Sequence, residues 1–259
     1  MINASAARGR LAATGEASVD RSSRLERLSA TVASARASGR RAIDEASCKR
    51  MVAAYGIRVP EGRVVASASE LPEALAALRP PWVLKVVSPD VLHKTEAGAV
   101  RTALADADEA AAAMRSIDER MRRQGARVDG YLVEETAPAG VEIVIGGVRD
   151  SSFGWLVMFG LGGILVEYLQ DVAFRICPIT PLDAAEMIGE IKAHPVLEGV
   201  RGRPGIDATA LVDALLAIGG ENGLLCEAGK DIAEIDLNPL LASEQGIVAV
   251  DARIVLTHE

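Results

Sequence analysis

Residue types that often mark a function are scarce in this chain. Aromatic residues make up 3% of its 259 residues, and it contains three cysteines and three histidines. With few aromatics and a formal net charge of -8, it lacks the stacking surface and the basic surface expected of a nucleic-acid binder. We therefore expect no nucleic-acid partner.

The cysteines lie far apart, at Cys48, Cys177 and Cys226. They form no Cys-x-x-Cys pair and have no nearby histidine with which to build a zinc site. We interpret them as reduced thiols.

Long apolar runs are also missing. No run reaches the roughly 20 residues that a membrane helix needs, and the N-terminus has no apolar signal core. We expect no membrane partner and a cytoplasmic location.

Residues 1–42 are rich in Ala, Ser and Arg, but Glu16, Asp20 and Glu26 are atypical of an organelle-targeting segment. They predict a flexible or helical leader.

Hydrophobic residues at 49% and charged residues at 25% indicate a globular protein. Strand patterns at 82–87 and 130–134 flank an Ala-rich helical pattern at 106–124. We expect an α+β fold of two lobes that share a cleft, an N-terminal lobe over 43–133 and a C-terminal lobe over 134–259.

In the second lobe, residues 141–148 and 155–159 predict a hairpin, and residues 172–176 predict a further strand. Thr180, followed by Pro181, predicts a helix start, because threonine caps helices and proline suits the first helical position. Asp207 is a second predicted cap.

Two C-terminal strands, at 231–241 and 247–254, are separated by a polar turn that ends at Gly246. If the hairpin is symmetric about Glu244 and Gln245, Asn238 lies opposite Asp251. Strand alternation places Glu234, Asp236 and Asn238 on one face. Magnesium prefers such oxygen ligands, but a solvated hairpin face explains the same pattern.

Lys85 interrupts an apolar strand, where an ammonium group is costly to bury without a partner. A nucleotide phosphate would serve, although a strand lysine can also extend its head group to water. Gly160, Gly162 and Gly163 would let backbone amides approach a phosphate, but they match neither common phosphate-loop pattern and also suit an ordinary tight turn.

Further polar residues are candidates for the nucleotide. Glu134, Glu135 and Glu142 lie where the first lobe passes into the second and could bind ribose or metal, or form an exposed acidic face. Arg175 could contact phosphate or pair with a neighbouring acid.

His93 follows the Lys85 strand in a predicted loop. Imidazole is nucleophilic at neutral pH and can carry a phosphoryl group. An isolated histidine more often forms a hydrogen bond with a loop backbone.

Three long segments in order carry a family resemblance: residues 83–98 (VLKVVSPDVLHKTEAG), 158–167 (MFGLGGILVE) and 234–240 (EIDLNPL). They resemble the ATP-grasp β subunits of NDP-forming acyl-CoA synthetases, in particular the ADP-forming acetyl-CoA synthetases. The resemblance covers residues 43–256. It implies an ATP-grasp fold with ATP or ADP held between the two lobes.

The resemblance also implies roles for individual residues. Lys85 would contact phosphate, and the interlobe connection at Val133, Glu134 and Glu135 would contact adenine and ribose, with Glu142 a further candidate. Asn238 and Asp251 would bind Mg²⁺, and Asp236 would support the metal or the phosphohistidine.

His93 matches the loop histidine that, in this family, carries phosphate between a histidine of the α subunit and the nucleoside diphosphate. Full turnover would require a CoA-binding α subunit, in an α2β2 heterotetramer. The chain has Gly98-Ala99 where the family commonly has two glycines, which puts the mobility of the loop in doubt.

Two alternatives remain at this point. An ATP-grasp carboxylate ligase that forms acyl phosphate directly would have little need for His93. A non-catalytic nucleotide-sensing subunit would bind nucleotide without transferring phosphate.

Overall fold

The computed structural model of the protein describes residues 20–91, 94–163, 171–200, 202 and 204–257. The helices are α1 (Arg21–Ala37), α2 (Glu45–Ala54), α3 (Leu71–Ala76), α4 (Ala107–Gln124), α5 (Pro181–Glu190), α6 (His194–Glu198), α7 (Ala208–Gly219) and α8 (Leu224–Glu227). The strands are β1 (Ala42–Ile43), β2 (Gly62–Val65), β3 (Trp82–Val87), β4 (Val100–Leu104), β5 (Gly130–Glu135), β6 (Val141–Asp150), β7 (Gly154–Leu161), β8 (Val172–Ile176), β9 (Ile232–Ser243), β10 (Gly246–Ala249) and β11 (Arg253–Leu256).

A small lobe is built around an antiparallel sheet in the order β2-β5-β3-β4. Helix α4 packs its apolar face on this sheet, because Met114, Ile117 and Met121 recur at helical spacing and are buried. Asp106 caps the start of α4, and Gly125 ends it with a φ of 68°. The helix predicted at 106–124 is confirmed.

A large lobe is built around a second antiparallel sheet in the order β1-β11-β9-β6-β7-β8, with β10 paired to β9. The predicted hairpin is formed by β6 and β7, and Asp150 accepts hydrogen bonds from the backbone N–H groups at the turn. Thr180 and Asp183 form a reciprocal capping box at the start of α5. Asp207 caps α7, also as predicted.

The N-terminal helices pack in the large lobe. Leu28 and Val32 of α1 and Met51 and Val52 of α2 belong to the same apolar core as β6, β7 and α7. Strand β1 pairs with β11 of the large sheet. Within the predicted leader over 1–42, the structure describes one helix, α1 (Arg21–Ala37). The predicted lobe boundaries stay a prediction, and the packing favours placing residues 21–57 with the large lobe.

The fold combines helices with two antiparallel sheets, so the predicted α+β class is confirmed. Across the residues that the structure describes, no helix is both long and apolar enough to span a membrane.

Candidate functional site

The C-terminal hairpin has the predicted register. Gly246 pairs with Ser243 and Ala249 with Leu240, which centres the turn on residues 244 and 245. The same register resumes in β11, where Arg253 pairs with Asp236. Between these ladders the chain leaves the sheet at residues 250–252, where the Val250 and Asp251 N–H groups donate to the Pro239 carbonyl at 3.1 and 3.4 Å. Asn238 and Asp251 are therefore not paired as strand residues, but both line the cleft.

Alternation along β9 separates its two faces as expected. Ile235 and Leu237 are buried, whereas Glu234, Asp236 and Asn238 are partly exposed and line a cleft with Asp251. The hairpin therefore gathers its oxygen donors at the cleft wall.

A glycine corner packs beside Asn238. The Gly163 N–H donates to Asn238 Oδ1 at 2.9 Å, and the Gly162 N–H donates to the Glu142 carbonyl at 2.8 Å. Gly163 has a φ of 64°, and a Cβ there would lie 2.0 Å from Glu142 Oε2. A Cβ on Gly162 would lie 2.5 Å from the Ile143 carbonyl oxygen. Glycine is therefore needed at both positions for Glu142 and Asn238 to lie against the backbone of residues 162 and 163.

A buried cluster of charges, which we call the ionic cluster, joins α2 to the small lobe. It consists of Glu45, Lys49, Lys85, Lys94 and Glu134. Lys85 Nζ donates to Glu45 Oε1 at 2.6 Å and to the Val250 carbonyl at 2.5 Å, and it lies 3.2 Å from Glu134 Oε2.

The other lysines complete the ionic cluster. Lys49 Nζ donates to both Glu134 oxygens at 2.6 and 2.7 Å and lies 2.9 Å from Glu45 Oε1. Lys94 Nζ lies 2.9 Å from Glu45 Oε2. Three ammonium groups thus share two carboxylates, which leaves the ionic cluster with one excess positive charge beside the cleft.

The ionic cluster sets the charge states of its members. Burial alone raises the pKa of Glu45, but the lysines, Lys85 foremost, bring that pKa well below its ordinary value. Burial lowers the pKa of Lys85, and Glu45 and Glu134 more than reverse this, so the pKa is raised overall. The pKa of Lys94 is also raised, because Glu45 and Asp251 outweigh the effect of its burial.

The pKa of Asp251 is shifted in the opposite direction to that of Glu45. Burial raises the pKa of Asp251, and the nearby Glu45 carboxylate raises it further. An additional cation beside Asp251 would favour its ionised form.

A cleft of about 1050 Å³ lies between the two lobes. The end of β3 and the turn that begins at Lys94 form its small-lobe wall, and β6, β9 and the segment around Asp251 form its large-lobe wall. The cleft brings Glu45 and Lys94 together with Asp236, Asn238 and Asp251. It therefore combines a cationic edge with an oxygen-rich edge.

The remaining predicted residues are dispersed. The Val133 side chain is fully buried in the small-lobe core, and Glu134 is in the ionic cluster. Glu135 pairs with Arg79 at the surface. Arg175 forms ion pairs with Glu190 and Glu186.

His93 lies outside the described residues, so its role as phosphate carrier stays a prediction. Ala99, which replaces the expected second glycine, is fully buried in the small-lobe core. Its N–H donates to the Lys94 carbonyl at 2.7 Å, while Gly98 takes the positive φ of 66° in this turn. The alanine methyl therefore fits this turn as the structure describes it.

Sequence reasoning missed Glu45, Lys49 and Lys94. Glu45 and Lys49 are one turn apart on α2 and are buried, although charged residues are rarely buried unless they are paired. The spacing of Glu45 and Lys49 on α2 could have indicated a buried ion pair. Their partners Lys85 and Glu134 could not be predicted, because they come from distant segments of the chain.

The donor set is compatible with Mg²⁺, which proteins usually bind through one or two carboxylates together with water and substrate phosphate. Asn238, Asp251 and Asp236 supply an amide and two carboxylates on one wall of the cleft. Within the described residues, no group of three or more His, Cys, Asp or Glu side chains could hold a metal by itself. An Mg²⁺ ion held by these residues would complete its coordination with water and substrate phosphate.

Comparison with known proteins agrees with this geometry. Residues 34–256 match the ATP-grasp domain family. The chain is 41% identical over 218 residues to subunit beta of the ADP-forming acetate–CoA ligase I of Pyrococcus furiosus, covering 83% of this chain and 92% of the relative.

Solved structures are similar too. One is the dinucleotide forming acetyl-coenzyme A synthetase 1 of Ca. Korarchaeum cryptofilum in complex with coenzyme A and Ca-AMPCP, with a TM-score of 0.80, 40% identity and coverage of 87% of this chain and 98% of that chain. In another structure of that enzyme, with coenzyme A and Mg-AMPPCP, the phosphohistidine segment points towards the nucleotide binding site. Its TM-score is 0.75, at 39% identity, and it covers 89% of this chain and 100% of that chain.

The two-lobed fold, its central cleft and the match over residues 34–256 define an ATP-grasp protein. Within that family, the chain belongs with the β subunits of ADP-forming acyl-CoA ligases.

Proposed function

We propose that this chain is the nucleotide-binding β subunit of an ADP-forming acyl-CoA synthetase. The overall reaction converts acyl-CoA, phosphate and ADP to a carboxylate, CoA and ATP, and it runs in either direction. One observation carries the proposal: a single cleft between the lobes joins Lys94 and Glu45 to Asn238 and Asp251, in a chain 41% identical to such a subunit.

The step assigned to this chain is phosphoryl transfer between ATP and His93. A lone pair on a neutral imidazole nitrogen forms the N–P bond. The bond from the γ-phosphorus to the bridging oxygen breaks, and its electron pair leaves on ADP while the proton on the other ring nitrogen stays. Such transfer depends mainly on positioning and on electrostatic stabilisation, which a cleft lined by lysine and oxygen donors can provide.

The predicted nucleotide contacts belong to this proposal. They are Lys85, Val133, Glu134, Glu135, Glu142, Gly162, Gly163 and Arg175. Glu142 and the two glycines are supported by their packing beside Asn238. Arg175 and Glu135 have surface ion-pair partners that they would have to exchange for nucleotide.

Asn238, Asp251 and Asp236 are proposed to hold Mg²⁺. The ion would neutralise charge on the phosphates when it is bound. The residues of this chain keep Asn238 in place through the Gly163 N–H and hold Asp251 through the Ala252 N–H, which donates to Oδ1 at 2.9 Å.

The proposal includes a CoA-binding α subunit, because the relatives are named as β subunits. An α2β2 assembly and a cytoplasmic location remain predictions.

Incubation with γ-labelled ATP and Mg²⁺ tests the proposal. We expect label on this chain that is labile to acid and stable to base, as for a phosphohistidine. His93→Ala should abolish it, while His194→Ala, at the start of α6 and away from the cleft, should retain it. Equal labelling of the His93→Ala and wild-type chains would contradict the relay and favour the direct acyl-phosphate ligase.

A further inference from the structure

Two lysines of the ionic cluster differ in what their ammonium groups can still bind. An ammonium group has three N–H donors. Lys85 Nζ donates to Glu45 Oε1 at 2.6 Å and to the Val250 carbonyl at 2.5 Å, and it forms an ion pair with Glu134 Oε2 at 3.2 Å. The Lys85 side chain is 10% exposed. Lys85 Nζ is thus surrounded by three oxygen atoms of the protein.

Lys94 has a different environment. It lines the cleft, its side chain is 15% exposed, and its Nζ lies 2.9 Å from Glu45 Oε2. Across residues 20–91, 94–163, 171–200, 202 and 204–257, Glu45 is the only carboxylate that forms an ion pair with Lys94. Lys94 therefore keeps donors for a ligand that enters beside Asn238 and Asp251.

Glu45 is well placed to fix the direction of Lys94. It is the first residue of α2, directly after the cap at Asp44, and α2 is anchored in the large-lobe core by Met51 and Val52. Lys49 and Lys85 both hold its Oε1 atom, which leaves Oε2 to Lys94. A carboxylate fixed on a helix and held by two cations is a rigid support for a third.

We infer that Lys94 contacts the phosphoryl group during its transfer and that Glu45 is the positioning residue for Lys94. This assignment rests on the proposed function and deepens it. The transferred phosphoryl group spreads negative charge over three oxygens, and a cation already aimed at it stabilises that charge without reorganisation.

Lys94→Met tests the contact. At saturating Mg²⁺ and γ-labelled ATP, we expect the labelling rate to fall about 100-fold, as for the loss of one preorganised donor to a transition state. The Kd for Mg·ADP should change by less than about threefold, because ADP lacks the transferred group. Lys192→Met, which removes an exposed lysine outside the cleft, should label at the wild-type rate. A wild-type rate in Lys94→Met would overturn the inference.

The positioning role of Glu45 is tested by combining Glu45→Gln with Lys94→Met. If Glu45 acts by positioning Lys94, the labelling rate of Glu45→Gln/Lys94→Met should match that of Lys94→Met alone, because the two losses share one interaction. If the labelling rate of the double variant instead falls by the product of the two single-variant losses, Glu45 acts independently of Lys94, which contradicts the assignment.

A binding measurement separates this inference from the proposed function. Calorimetric titration with Mg·AMP-PNP requires no transfer and no His93 chemistry. Lys94→Met should weaken AMP-PNP about tenfold more than it weakens ADP, and Lys94→Arg, which keeps the charge, should recover most of the loss. Equal weakening of both nucleotides would refute the Lys94 contact even if wild-type labelling succeeds, whereas failure of wild-type labelling alone counts against the proposed function.

Discussion

At the scale of single residues, the carboxylate of Glu45 joins cations from α2, β3 and the turn after β3. Five charges in one buried cluster are weak evidence for stability, because desolvation offsets most of the attraction. Removing the charge of one member is destabilising, because it leaves the opposite charges of the other members buried without compensation. The ionic cluster thus makes each member costly to replace.

Glu45→Gln should lower the free energy of unfolding by about 3 kcal/mol at pH 7, near the lower end for breaking a buried ion pair. Because the folded-state pKa of Glu45 is depressed, its contribution is present above the ordinary value of 4.5 and is lost as the pH falls below it. Denaturant titrations at pH 7 and pH 3 should therefore show a smaller difference between wild type and variant at pH 3. An equal difference at both would contradict the depressed pKa.

Gly163 offers a second prediction at this scale. Gly163→Ala places a methyl group where Glu142 Oε2 lies and strains a positive φ, so Glu142 and Asn238 must shift. We expect the Kd for Mg·ADP to rise about tenfold and the protein to lose about 1–2 kcal/mol of stability. Isothermal titration and denaturant unfolding measure the two effects.

Gly189→Ala is the matched control, because its Cβ would meet nothing within 4 Å in α5. It should leave nucleotide affinity unchanged and stabilise the protein by about 0.5–1 kcal/mol. Unchanged nucleotide binding in Gly163→Ala as well would show that the glycine corner is not part of the site.

At the scale of elements, local patterns predicted the most. The register around Glu244 and Gln245 followed from one tight turn, and the caps at Thr180 and Asp207 followed from short-range hydrogen bonding. The packing of α1 and α2 could not be predicted in the same way. Their apolar faces indicate burial but do not say which sheet covers them.

Helix α1 is held by more than apolar contact. Glu227 accepts hydrogen bonds from Arg21 at 2.8 Å, from Arg24 at 3.0 Å and from the Tyr55 hydroxyl at 2.8 Å. The Arg24 guanidinium also lies 4.5 Å from the centre of the Tyr55 ring. These contacts tie α1 to α8 and to the end of α2, so α1 is part of the folded lobe.

Leu28→Ala tests this role of α1. Leu28 is 5% exposed in the large-lobe core, and truncating such a residue costs about 2–4 kcal/mol. Ser29→Ala, at the exposed neighbouring position, should change stability by less than about 0.5 kcal/mol. Denaturant unfolding that gives the same stability for both variants would indicate that α1 is a loosely attached leader.

At the scale of the whole molecule, function depends on how two separately packed lobes meet. Arg40, from the turn between α1 and β1, pairs with Asp129 of the small lobe at the edge of the cleft, and Lys49 pairs with Glu134 deeper inside. These contacts hold the cleft wall of the small lobe against the oxygen donors of the large lobe.

The sequence predicted the oxygen-donor edge of the site better than the cationic edge. Asn238 and Asp251 lie in one hairpin, so their approach follows from a turn and a register. Glu45, Lys85 and Glu134 belong to three elements whose contact depends on the docking of α2, which no local pattern specifies. His93 was singled out by its place in the loop after the Lys85 strand, but its role as phosphate carrier came from family resemblance and stays a prediction.

The most direct test of the central claim is a chase experiment. The chain is labelled with γ-labelled ATP, freed of nucleotide and mixed with unlabelled ADP and Mg²⁺. A reversible phosphohistidine carrier predicts that the label leaves the protein and appears as ATP. Label that stays on the protein, or leaves only as inorganic phosphate, would contradict the account.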